Sequence, residues 1–301
     1  MADTEETPIL KVKPEVAHSN SGFVPLLLLS ILYITSGAYT TVTVFTGDGI
    51  AKQPGFGQKT VHMGETMLWL GAAVSTAAFL PLFDIYGRRD LLYFAGVLGL
   101  TSAASALLAT SAWLYLVAQF GIGLFLFPTG LTAWVLAAES VSPKVHNRML
   151  AVWNICYSLF GISMAACCLI INRTNMSWRM ESVFWYMPIV GSLMVGPLYV
   201  SESPEMAGKS DRIDRNESSL RVWPMVGYLV ATAVCWSAVS MSFYALSYSS
   251  SSLSPDIYLN MALLAGIDCV VYGCAMPIID WLSPKGAQLT SLSCAAALML
   301  F

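Results

Sequence analysis

Nine long apolar stretches dominate this chain, and together they hold a single charged residue. They run over 23–46, 66–83, 91–112, 113–138, 149–172, 182–200, 222–253, 257–279 and 286–301. About 20 apolar residues in succession suffice for a helix to cross the hydrocarbon core of a bilayer. The whole composition agrees with that solvent. The chain is 56% hydrophobic and 11% charged, with mean hydropathy +0.65, against a charged fraction near a quarter in soluble domains. The last stretch has 16 residues, short of the roughly 17 that span the core. The ninth helix is therefore incomplete or non-spanning, and the expectation is an all-α membrane protein with eight or nine transmembrane helices. The first stretch outruns the ~15-residue apolar core of a secretory signal and lacks its small-residue cleavage motif, so it reads as a retained helix.

Several function classes fall away on composition. The net charge of −3 offers no basic footprint for nucleic acid. All seven cysteines (Cys156, Cys167, Cys168, Cys235, Cys269, Cys274 and Cys294) lie inside apolar stretches and read as small hydrophobes rather than loop disulfides. His18, His62 and His146 lie far apart in different connections, without metal-site spacing. No nucleophile–base set or phosphate-binding glycine loop is present. The expectation is therefore a protein that is not an enzyme and uses no cofactor or metal.

The basic residues orient the chain. With the N-terminus in the cytoplasm, eleven Lys and Arg fall inside and four (Lys52, Lys59, Arg173 and Arg179) outside, a bias the positive-inside rule resolves. Asn172-Arg173-Thr174 and Asn175-Met176-Ser177 then face outward as glycosylation sequons close to the membrane, while Asn216-Glu217-Ser218 faces inward and stays silent. Residues 1–21 read as a cytoplasmic tail, and the strongly charged 207–221 as a cytoplasmic inter-domain loop. That loop divides an N-terminal six-helix bundle, 22–206, from a partial C-terminal bundle, 222–301.

Motifs at the ends of the spans narrow the reading. Asp84-Ile85-Tyr86-Gly87-Arg88-Arg89 follows the second span, setting a carboxylate and a glycine turn before two cations. Two Arg in such a loop also serve topology alone. The order, however, resembles the loop signature of the major facilitator superfamily. Glu139-Ser140-Val141-Ser142-Pro143-Lys144 with Arg148, and Ser201-Glu202-Ser203-Pro204, resemble segments of its organic cation/anion transporter family. So do Phe243-Tyr244-Ala245-Leu246-Ser247 and Ile257-Tyr258-Leu259-Asn260. The resemblance covers residues 66 to about 285. It implies a major facilitator fold and a gate network of Asp84, Gly87, Arg88, Arg89, Glu139, Arg148 and Glu202 that latches two halves. Leu80 stands where that signature has a second glycine, and in the second half Asp280-Trp281-Leu282-Ser283-Pro284-Lys285 is a degenerate copy.

Asp268 is the one charge inside an apolar stretch, where insertion costs about 2.5–3.5 kcal/mol. The resemblance places it where cation-transporting members carry a membrane-embedded acid; the structural alternative is a hydrogen bond to a neighbouring helix. Tyr244 and Tyr248, Asp268 and Tyr272, and Trp153 and Tyr157 are pairs four residues apart, each on one helix face. An acid ringed by such aromatics would hold an organic cation by Coulomb and cation–π attraction, although aromatics at helical spacing also pack helices. Gln119-Phe120-Gly121-Ile122-Gly123 resembles a family segment whose Arg is missing here, which turns the expectation from proton coupling towards facilitated diffusion or exchange.

Two functions remain. The first is a multi-pass carrier of small organic ions, cations favoured, working by alternating access in the plasma membrane. The second is a truncated, non-transporting isoform, fragment or regulatory partner of a full-length carrier or oligomer, since the last stretch stops short and only residues 47–65 join the first two spans.

Overall fold

The structure is a computed structural model that describes residues 22–141, 143–174, 177–203, 222–249 and 256–298. The chain regions 1–21, 204–221 and 250–255, and with them the tail, the inter-domain loop and Pro204, lie outside the described residues. Among the described residues every regular element is a helix: α1 (Phe23–Ala51), α2 (Gln58–Tyr86), α3 (Arg88–Leu108), α4 (Ala112–Ser140), α5 (Pro143–Arg173), α6 (Trp178–Tyr199), α7 (Val222–Ser249) and α8 (Ile257–Leu298). Backbone groups in lipid must find partners within their own segment, and an unbroken helix supplies them.

The helices overrun the apolar stretches, because a helix continues into the polar interface on either side of the core. α2 begins at Gln58 and α6 at Trp178, several residues before the apolar stretches at 66 and 182. The stretches at 257–279 and 286–301 form one element broken at Ser283, whose φ of 64° and ψ of 157° are not helical. Pro284 explains the break, since proline disfavours helical geometry in the residue before it. Among the described residues, five helical segments are long and apolar enough to cross a membrane: α3, α4, Arg148–Arg173, α6 and Ile257–Ala275. The two segments of α1, Phe23–Gly37 and Tyr39–Ala51, make a sixth when counted as one span.

Packing centres on α4, which runs against α1, α2 and α3, while α1 also packs on α6. The α2–α4 crossing is close because small residues allow it. A Cβ on Gly71 would meet the Phe120 carbonyl, and one on Gly123 would meet the Leu68 carbonyl and, at 3.0 Å, the Ala72 nitrogen. The buried core around these helices includes Leu29, Leu32, Leu92, Ile122, Leu126, Leu136 and Ile189. α5 packs chiefly on α8 rather than on the first four helices. That seam, with α1 on one side, is where the central cavity opens.

Candidate functional site

Two sites carry the polar chemistry, one at the end of the bundle and one at its middle. The first begins with Gly87, which links α2 to α3 at φ +88° and ψ 154°, a conformation that essentially only glycine adopts without strain. A Cβ there would also stand 2.6 Å from Glu202 Oε2. That gap lets the Glu202 carboxylate sit on the start of α3. Arg88 N–H donates to Oε1 at 3.1 Å and Arg89 N–H to Oε2 at 3.1 Å, so a carboxylate from the α6 exit caps two orphan amides at the positive end of α3. Ser203 N–H donates to the same Oε1 at 2.8 Å and fixes the carboxylate in turn.

The two arginines divide their work. Arg89 Nε donates to the Val200 carbonyl at 2.7 Å and Nη2 to the Pro197 carbonyl at 2.9 Å, satisfying carbonyls that the end of α6 leaves unpaired. Its contact with Asp90, 3.5 Å on an exposed flank, adds little by comparison. Arg88 forms an ion pair with Glu139 at the end of α4, the two side chains mostly buried, and Ser203 Oγ donates to the same Glu139 Oε2 at 2.6 Å. Thus Gly87, Arg88, Arg89, Glu139 and Glu202 come together. Among the described residues their partners lie on α3, α4 and the end of α6, and none lies on α7 or α8. The cluster clamps one group of helices at one end. Asp84 lies in the last turn of α2, with its side chain outside those described, and Arg148 is exposed with no ion pair among the described residues.

The second site is a partly open cavity between α1, α5, α7 and α8, with about 550 Å³ of empty space that includes its open side. Its walls include Thr41, Tyr157, Phe160, Phe243, Met261 and Asp268. Asp268 is half-buried, and no protein cation pairs with it among the described residues. Tyr157 shares the cavity with it, and Tyr272, one turn along α8, is close enough to Asp268 to interact electrostatically. Tyr244 stands beside rather than on the wall: it meets Trp69 of α2 edge-on at 4.8 Å between ring centroids and comes within hydrogen-bonding reach of Thr40. Trp153 is 5% exposed and stacks on Tyr33 at 5.4 Å, which makes it part of the α1–α5 packing. Tyr248 lies on α7 with its side chain outside those described. Sequence reasoning missed Phe243, Thr41, Phe160 and Met261 as lining, since apolar and small polar residues inside a span carry no mark of which face they occupy.

It also missed Glu181. The apolar stretch starts at 182, but α6 starts at Trp178, so Glu181 lies in the first turn and is 6% exposed. It approaches Cys168 of α5 and Tyr258 of α8, while Tyr258 stacks on Phe45 of α1 at 5.7 Å. No group of three or more His, Cys, Asp or Glu among the described residues is arranged to hold a metal.

Span-length apolar helices, a charged clamp at one end and an acid on a cavity wall, all among the described residues, fit a membrane transporter. The family profile of the Major Facilitator Superfamily matches residues 27–301, and the chain belongs to that family. No curated protein matches the chain.

Proposed function

We propose that this chain carries small organic ions across a membrane by alternating access, with cations favoured, as a facilitator or exchanger. Residues 22–206 form one half and residues from 222 belong to the other, in eight or nine spans. The N-terminus is cytoplasmic and the membrane is the plasma membrane, with the eleven-to-four distribution of Lys and Arg as support. On this orientation the Gly87–Arg89, Glu139 and Glu202 clamp lies at the cytoplasmic end.

The observation that carries the cation preference is Asp268. A carboxylate on the wall of a cavity between α5 and α8, with aromatic neighbours and no paired protein cation among the described residues, leaves its charge for an incoming solute. Tyr157 and Phe243 supply faces for an amphipathic cation. An inside-negative potential then drives entry, at about 2.3 kcal/mol per charge per 100 mV. Proton-driven coupling is not part of the proposal, because Gln119 stands where the resemblance places an Arg. Uptake of labelled organic cations and anions by cells expressing this chain, beside an Asp268→Asn variant at matched surface level, tests the assignment. Cation uptake should fall at least tenfold and anion uptake much less. Equal loss of both would remove Asp268 from the substrate site.

A further inference from the structure

A second cavity, sharing no residue with the first, lies inside the group formed by α1, α3, α4 and α6. It holds about 340 Å³ of empty space, part of it open to the outside. α1 divides between the two: Thr41 and Phe45 face the central cavity, and Tyr39, Val42, Thr43, Thr46 and Ile50 face this one. Its lining is rich in oxygen, with the hydroxyls of Thr43, Thr46, Tyr115 and Ser182 and the amide of Gln119. Most of these have protein partners. Thr46 donates to Val42 O at 3.0 Å, Ser182 to Trp178 O at 3.1 Å, and Gln119 Nε2 to the Tyr115 hydroxyl at 2.7 Å.

Two buried atoms do not. Thr43 Oγ1 and Gln119 Oε1 have no hydrogen-bond partner, although their residues are 6% and 7% exposed. Glu65 of α2 comes within hydrogen-bonding reach of Thr43 but outside the geometry of a formed bond. A buried polar group left unpaired is costly, and two facing one oxygen-lined space call for a common partner. The pair is complementary to water: the Thr43 hydroxyl can donate to a water oxygen, while Gln119 Oε1 can only accept. A polar space with two to four such partners is one that water occupies. A small cation would also suit the lining oxygens, with the Glu65 carboxylate beside Thr43 and Tyr115 to offset part of its desolvation, so the test must separate ion from water.

We propose that this cavity is a structural water site in which ordered water bridges Thr43 on α1 to Gln119 on α4, tying the two helices within one half of the carrier. The reading does not depend on what the central cavity transports. Its test turns on a sign, measured as thermal unfolding of the purified full chain in detergent. If water bridges the two groups, Thr43→Val removes a satisfied hydroxyl and lowers the melting temperature by about 2–4 °C. Gln119→Leu lowers it too, and the double variant loses less than the two single losses combined, because both act through one bridge. If the space is dry, Thr43→Val removes an orphaned hydroxyl, and the melting point stays the same or rises; that result overturns the proposal. Should a variant fail to fold, an experimental density map of the wild-type chain decides instead, with a peak between Thr43 and Gln119 as the expected result and featureless space as the contrary one. A rise in melting temperature with Na+ over choline at equal ionic strength, lost in Gln119→Leu, would assign the site to an ion and equally overturn the water.

Discussion

Glu202 accepts three backbone or neighbouring amides with one carboxylate, although it lies 114 residues from the helix start it caps. Glu202→Ala should therefore destabilise the fold by about 2 kcal/mol, the order of a lost charged cap, read as a lower melting temperature in detergent. Gly87→Ala should do comparable harm by two routes: an L-residue at φ +88° is strained, and its Cβ displaces the carboxylate. The double variant then tests the link, since Gly87→Ala should cost less once Glu202 is Ala. Full additivity would show that the two residues act separately. Glu139, Glu202 and the two arginines were legible in the sequence as a motif. That Glu202 would contact main-chain amides, and Ser203 would join Glu139, was not, because such contacts depend on where two helix ends arrive in space. Asp268 was legible for a simpler reason, as a charge in an otherwise apolar stretch. Glu181 escaped the same test because the apolar stretch begins one residue after it.

At the scale of elements, the sequence located the apolar part of each helix and misjudged the ends. Charge marks the membrane boundary, whereas backbone hydrogen bonding sets the helix boundary, so α2 and α6 start well before their apolar parts. Ser283 is a break that Pro284 announces. The α2–α4 crossing at Gly71 and Gly123 brings backbone against backbone. Gly123→Val should force these helices apart and, like other overpacking of a close interface, cost about 1–3 kcal/mol. The expected readout is a loss of monodisperse protein on size exclusion, with Ser at the same position less harmful than Val. Equal behaviour of Val and wild type would mean that the helices are not this close in the folded chain.

On the scale of the whole molecule, α5 and α8 form the seam along which one half would move against the other. A Cβ on Gly161 would lie 3.3 Å from the Ala265 Cβ, close to the separation found in disulfides. In a background with the seven native cysteines replaced, Gly161→Cys with Ala265→Cys should crosslink on oxidation and arrest uptake, and reductant should restore it. Crosslinking that leaves uptake unchanged would argue against movement along this seam. The seam itself was hidden from the sequence, because the membrane-length parts of α5 and α8 are apolar over most of their surface and little in their pattern distinguishes a partner helix from lipid. The account's central claim is that these residues form a carrier with a cation site at Asp268. Its most direct test is purified chain in liposomes, with an inside-negative potassium diffusion potential and a labelled organic cation outside. The account predicts potential-dependent accumulation well above protein-free liposomes and its collapse in Asp268→Asn. Accumulation no greater than in protein-free liposomes, with the protein folded and inserted, would contradict it.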